Sequence, residues 1–322
     1  MDTDDFVHTF ICAAYTIRPA AITSLQQFPL DRRGIYRIDF ESGYSGVLRL
    51  NRDEQATEWY EATARVLFLL ESLDFPAPRV LPNRHNTCVS SLTGWVGLMT
   101  SYIPGEILTP APPKLATLAQ VVAELHSMSF PPTANVAGLR QARWSLEGVT
   151  ATKVSLLRQV QFIPGELSAV FDGFAGAIER LERIATQLPV YLVHGDSWFM
   201  NAVQSAGNTI LIDWDNSGLG FPVFDLAYLL LTSHYNVKRP LEVILDRDKI
   251  RSIVEHYVDR RQVLAVEQEV LLDAMRFCLA EGFVRGLGNQ RLPADSLMVK
   301  KLLVRYAATE PITTMASHIL AA

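Results

Sequence analysis

The sequence predicts an α+β protein of two lobes: a small, mostly antiparallel β lobe with one helix over residues 1–103, then a larger, mainly helical lobe over 104–322. Three observations carry this reading. Short runs rich in β-formers, bounded by turn residues, crowd the first third of the chain. Beyond residue 110 the apolar residues recur at helical spacing. One strand-and-hairpin segment near residues 190–213 interrupts the helical part with a cluster of polar side chains.

In order, IYRIDF (35–40) and SGVLRL (45–50) alternate and are joined by ESGY, a hairpin signal. DEQATEWYEATARVLFLLESL (53–73) sets Ala64, Leu67, Leu70 and Leu73 on one helical face. FPAPRVLP ends that helix, because proline lacks an amide donor and restricts the residue before it. NTCVSSLTGWVGLMTSYI (86–103) reads as two strands about a Thr-Gly turn, so the order to this point is β–β–α–β–β. APPKLATLAQVVAELHSMS is a helix carrying Leu115, Leu118, Val122, Leu125 and Met128 on one face. Residues 150–187 give two helices separated by FIPGE at 162–166. A strand at 190–193, a polar loop at 194–201 and the hairpin AVQ–SAGN–TILI follow. Helices are expected at 223–233, 241–260, 265–286 and 294–308.

A chain of 322 residues can bury two cores, and 49% apolar with 20% charged residues excludes global disorder. A net charge of -5 with no basic run argues against nucleic acid as a partner and is compatible with a cationic substrate. Cys12, Cys88 and Cys278 are scattered and odd in number, giving neither a disulfide framework nor a zinc spacing. MDTDDFVHTF lacks the basic and apolar regions of a signal peptide, and no run reaches the ~18–20 apolar residues of a membrane span. A cytoplasmic protein is expected.

The chemistry concentrates in LVHGDSWFMNAV (192–203) and ILIDWDNSG (210–218). Carboxylates between apolar runs need a strand end, a partner or a metal, because burying an unpaired charge costs several kcal/mol. Asn201 opens the hairpin and Asp213 closes it, so both oxygen-bearing side chains fall at one mouth. Such a pair suits magnesium, which takes one or two carboxylates plus phosphate oxygens and waters. Asp196, five residues before Asn201, would face the metal without binding it and could accept a proton from an attacking hydroxyl. The H-x-D-x-x-x-x-N spacing is that of protein kinases.

With His194-Gly195-Asp196, Asn201, Ile212-Asp213-Trp214 and Asp225-Leu226-Ala227, the chain resembles the aminoglycoside phosphotransferase (choline kinase-like) family of the protein-kinase-like fold. GVLRL, LMTSYIPGE and VVAELHSM fall in the family's order before these motifs, so the resemblance covers nearly the whole chain. It implies two lobes meeting at a hinge near residues 99–105, with nucleotide between them. It also implies magnesium-dependent transfer of the γ-phosphate of ATP (or GTP) to a hydroxyl of a small molecule: an antibiotic, an amino alcohol or a sugar-like acceptor. Asp196 matches the catalytic aspartate, and Asn201 and Asp213 the magnesium ligands. Arg49 falls where relatives carry the cation on the α- and β-phosphates. Val47 on the same strand face would cover the adenine and Val203 would form its floor, with Met99 at the gate of the hinge. The Thr100 carbonyl and Tyr102 amide would read the adenine edge. Glu61 is the first choice of partner for Arg49, with Glu58 and Glu54 as alternatives.

Two departures stand out. The phosphate-covering loop DRRGIYRI holds one glycine, Gly34, and arginine at 49 replaces a point charge by a planar fork. His194 reads as a loop-holding residue, His126 as a satisfied core residue, and Asp225 as a helix cap or loop brace. Asp215, Asp273 and Glu281 suggest a cleft for a polar small molecule, a cationic one included. A protein Ser/Thr kinase of the same fold is the alternative enzyme. A pseudokinase scaffold is the other, although a scaffold has no need of Asp196, Asn201 and Asp213 together.

Overall fold

A computed structural model describes residues 3–25, 32–130, 138–159, 165–287, 293 and 295–321. The chain divides into two compact units. The first holds the residues up to Gly105 together with Thr133–Leu139 and Ile210–Asp215. The second holds Glu106–Pro132, Arg140–Thr209 and Asn216–Ala322. Asp213, expected in the C-terminal lobe, therefore clusters with the first unit.

The first unit runs α1 (Thr3–Ala14), β1 (Pro19–Ser24), β2 (Arg33–Phe40), β3 (Ser45–Asn51), α2 (Ala56–Ser72), β4 (Val89–Leu92) and β5 (Trp95–Ser101). The strands form one antiparallel sheet in the order β1-β2-β3-β5-β4. Strand side chains alternate between faces, so Tyr36, Ile38, Leu48 and Leu50 share a core with Met99 and with Val7, Phe10 and Ile11 of α1. Val47, Arg49 and Asn51 take the opposite face of β3. Helix α2 starts at Ala56 rather than 53 because Asn51 and Asp53 cap the preceding turns through the Asp53 and Gln55 amides. Its inner face is Ala56, Tyr60, Thr63, Ala64, Leu67 and Leu70, which leaves Glu54, Glu58 and Glu61 exposed. Neither α1 nor β1 was expected. Phe6, Val7, Phe10 and Ile11 do recur at helical spacing, whereas β1 is a half-exposed edge strand with little alternation to read.

The second unit contains β6 (Glu106–Ile107), α3 (Pro112–Leu125), α4 (Leu146–Gln159), α5 (Ser168–Ile184), β7 (Tyr191–Val193), β8 (Ala202–Ser205), β9 (Asn208–Leu211), β10 (Gly218–Gly220), α6 (Pro222–Thr232), α7 (Arg247–Val258), α8 (Ala265–Glu269), α9 (Leu271–Leu287) and α10 (Leu297–Leu320). The last two residues of β9, Ile210 and Leu211, already cluster with the first unit. β6 pairs with β8, and β7 with β10. Strands of two or three residues are too short for periodicity to announce. The helix expected from 241 begins at Arg247, where the Asp246 side chain caps the Asp248 and Lys249 amides. The helix expected to end at 308 continues through Pro311 to Leu320. The expected break at 162–166 lies largely outside the described residues. Among the described residues no helix is long and apolar enough to cross a membrane.

Candidate active site

In the second unit, β7 delivers the chain to a loop from His194 to Asn201. Gly195 adopts φ +80°, and a Cβ there would lie 2.2 Å from the Asn216 carbonyl oxygen, so the turn requires glycine. Asp225, in the first turn of α6, is fully buried and accepts the His194 and Gly195 amides at 2.7 and 3.0 Å. It also meets His126 Nε2 at 3.1 Å, while the other ring nitrogen of His126 lies 2.8 Å from the Tyr257 hydroxyl. Burial pushes the Asp225 carboxyl up, but the His126 hydrogen bond and the charges and amides of the loop bring it below its ordinary value. Burial also pushes His126 below its ordinary value, against the pull of Asp225. Both shifts describe one arrangement: an ionised Asp225 receiving the Nε2–H of a neutral imidazole, with the Tyr257 hydroxyl donating to Nδ1. Phe221 and not Asp225 precedes the helix as its cap residue, so Asp225 is a brace for the loop.

The loop holds Asp196 half-buried, with its amide donated to the His194 ring at 3.3 Å. Its carboxylate is hydrogen-bonded to Tyr228 and lies 3.8 Å from Arg143 Nη1. The Asn201 side-chain amide donates to the Asp196 carbonyl at 3.0 Å, leaving Oδ1 as an acceptor. Asp196 and Asn201 are thus brought together. Arg143 was not anticipated. It is nearly buried, paired to Glu281 of α9, and its guanidinium stacks on Trp144 at 4.3 Å. An isolated arginine just before a helix carries no sequence signal.

In the first unit, Arg49 is 8% exposed, with Nη2 3.4 Å from Asp213 and Nε 3.8 Å from Asp215. Tyr60 of α2 faces the same charges, and burial followed by the Asp215 charge pushes its hydroxyl up. Asp213 sits at φ +65°, a left-handed conformation that is uncommon for a residue with a Cβ and concentrates at functional sites. The carboxylate partners of Arg49 correct the expectation of Glu61. Glu61 is exposed and its ion pair is with Arg65 at 3.9 Å, because α2 turns Glu58 and Glu61 outward, and Glu54 is exposed ahead of the helix.

The hinge expectation needs a second correction. The Tyr102 amide already donates to the Ser45 carbonyl at 3.0 Å. Thr100 is buried within the ladder opposite Val47, and Met99 is fully buried in the core. The sheet runs further along the chain than the motif implied, so these backbone groups are engaged in it. Val47 is half-buried on the face of Arg49, and Val203 is buried in β8 opposite Ile107.

In the second unit Asn201 offers a carbonyl oxygen, and in the first unit the Asp213 carboxylate meets Arg49 through one oxygen only. Among the described residues no group of three or more His, Cys, Asp or Glu is placed to hold a metal ion. The acids expected to face a cationic acceptor are all occupied. Asp215 faces Arg49, Asp273 is forked by Arg180, and Glu281 takes both Arg143 and Arg285.

A family model described as the APH phosphotransferase enzyme family matches residues 26–257. The chain is similar in structure to an amicoumacin kinase in complex with AMP-PNP and Ca2+, with 14% identity, a TM-score of 0.66, and coverage of 98% of this chain and 94% of that one. An aminoglycoside phosphotransferase from Alicyclobacillus acidocaldarius gives 15% identity and a TM-score of 0.64, over 96% of this chain and 94% of that one. An ethanolamine kinase from Plasmodium vivax gives 14% and 0.61, over 90% and 82%. These likenesses show the protein-kinase-like α+β fold. No curated protein matches the chain in sequence.

Proposed function

The chain belongs to the APH phosphotransferase enzyme family, and from that premise we propose that it transfers the γ-phosphate of ATP (or GTP) to a hydroxyl of a small molecule. The observation that carries this reading is the braced loop: a buried, ionised Asp225 ties down the His194 and Gly195 amides, and Asp196 emerges from that turn half-exposed. Tyr228 and Arg143 orient its carboxylate. A fixed carboxylate is what a loose phosphoryl-transfer transition state requires, since positioning outweighs strong deprotonation there.

In this reading the acceptor oxygen attacks the γ-phosphorus, the bond from that phosphorus to the β-phosphate oxygen breaks, and the hydroxyl proton passes to an Asp196 carboxylate oxygen. Arg49 presents a planar fork to the α- and β-phosphates, with Asp213 and Asp215 setting its orientation. Asn201 Oδ1 and the Asp213 carboxylate are the groups that would hold magnesium, which supplies neutralisation of phosphate charge when bound. With the Tyr102 amide engaged by Ser45, and Pro104 lacking one, the Ile103 amide is the backbone donor assigned to the adenine edge. Amicoumacin, aminoglycosides and ethanolamine, named with the similar kinases, set the size range of the acceptor.

Incubation with γ-labelled ATP and a panel of hydroxyl compounds tests the reading, with Asp196→Asn as control. Label transferred to a small molecule by the parent and not by the variant is expected. Label appearing only on protein would turn the reading to the protein-kinase alternative.

A further inference from the structure

The helical unit encloses a cavity of about 500 Å³ between α6, α9 and α10. Arg143, Arg285, Lys301 and Arg305 line it, and among the described residues no aspartate or glutamate does. Glu281 answers Arg143 and Arg285 from outside the lining. Lys301 and Arg305 form no ion pair with a carboxylate among the described residues. The Arg305 guanidinium sits over the Tyr235 ring, 4.0 Å from its centroid.

The buried polar atoms agree with the charges. Nε and Nη1 of Arg143, Nε of Arg305 and the hydroxyl of Tyr235 are buried without a hydrogen-bond partner among the described residues. The three nitrogens are pure donors and the hydroxyl can donate. Orphaned buried donors are rare because they forfeit water and receive nothing in return. Their complement is an acceptor-rich, negatively charged group, and guanidinium planes match carboxylate and phosphate oxygens in pairs. Two lining residues, Arg143 and Tyr228, also touch the Asp196 carboxylate, so a molecule seated here reaches the proposed base.

We propose that this cavity is the acceptor subsite and that it selects hydroxyl compounds bearing an oxyanion, a carboxylate or a phosphate, over amines. The apolar remainder of the wall, Leu231, Phe283 and Leu302, would cover the carbon skeleton. The assignment of the anion as acceptor rests on the phosphotransferase reading, whereas anion binding by the cavity does not.

Thermal-shift titration of the full chain without nucleotide separates the two. The probes are glycerate and shikimate as carboxylates, glycerol 3-phosphate as phosphate, and ethanolamine and serinol as amines. Anions are expected to stabilise the parent, with the stronger of the carboxylate and phosphate arms naming the source. The double variant Lys301→Gln/Arg305→Gln should weaken that binding by about tenfold or more, as loss of charge-assisted hydrogen bonds does. Lys301→Gln alone, on a partly exposed site, keeps the test alive should the double variant not fold. Stabilisation by amines and not anions would overturn the proposal. So would anion binding that survives the variants, or no response to any anion. Asp196→Asn should retain anion binding while losing phosphotransfer, whereas a parent chain that binds the anions and transfers phosphate to none of them would count against the kinase chemistry alone.

Discussion

Asp196 and Arg49 are both held by partners distant in sequence, and substitution separates what each does. Asp196→Asn preserves shape and the amide bond to His194, and should lower turnover by ~10²–10⁴-fold, the usual worth of a positioned base. Nucleotide affinity, read by calorimetry, should hardly change; parent-like turnover on the true acceptor would remove Asp196 from the mechanism. Arg49→Ala should raise KM for ATP, and Arg49→Lys should recover part of the loss, since a point charge still meets phosphate but loses the fork. Glu61→Ala should leave ATP kinetics at the parent value, because its carboxylate meets only Arg65 at the surface. A large effect of that substitution would restore the glutamate pairing that α2 otherwise turns away. Asp213→Ala should abolish phosphoryl transfer and weaken magnesium-dependent nucleotide binding with the fold intact, and unchanged binding in calorimetry would free Asp213 from that role.

At the scale of the element, α6 and the loop after β7 behave as one piece. The first turn of α6 places Asp225 where three donors converge: two loop amides and the His126 ring. Asp225→Ala would orphan all three in a fully buried place, and breaking such a set costs ~3–5 kcal/mol. A large fall in Tm is expected, whereas a variant as stable as the parent would mean that the loop is held by its turn alone. Gly195→Ala should damage the same loop by a different route, through its left-handed φ and the Asn216 carbonyl. The loop was legible in the sequence because Gly195, Asp196 and Asn201 fall within one short segment at a recognisable spacing. His126 and Arg143 were not legible as its supports, since each reaches it from another helix or connection.

For the whole molecule, the buried ionisable groups set the acid limit. Asp225, His126 and His234 all titrate below their ordinary values in the fold; burial is the main cause for the histidines, while partner bonds overcome burial for Asp225. His126 is faced by Asp225, Tyr257, Arg261 and Glu267, and the direction is the net of all of them. A group with a depressed folded value binds fewer protons folded than unfolded, so stability rises with pH across its window. Stability should thus be fully present above the ordinary histidine value of 6.5 and decline as pH falls below it, with a second loss below the ordinary carboxylate value of 3.8. Urea denaturation from pH 8 to about pH 5 checks this. A curve flat through the histidine range would mean that His126 and His234 take up protons as readily in the fold as in the unfolded chain.

Spacing within single segments determined the α+β class, the helical character of the chain from 112 onward though not every helix boundary, and the sequence Asp196, Asn201, Asp213, because backbone geometry over a few residues follows from local residue types. The tertiary structure decided which charges meet. Arg143 finds Glu281 across 138 residues and Arg49 finds Asp213 across 164, while Glu61, only 12 positions from Arg49, faces water. It decided as well that the Tyr102 amide closes a strand pair, and that four cations line one cavity in a chain of net negative charge. Such pairings depend on strand register and on which helix face is buried against a distant segment. One position of slip along a strand or a quarter turn of a helix exchanges the partners, and no local pattern records that choice.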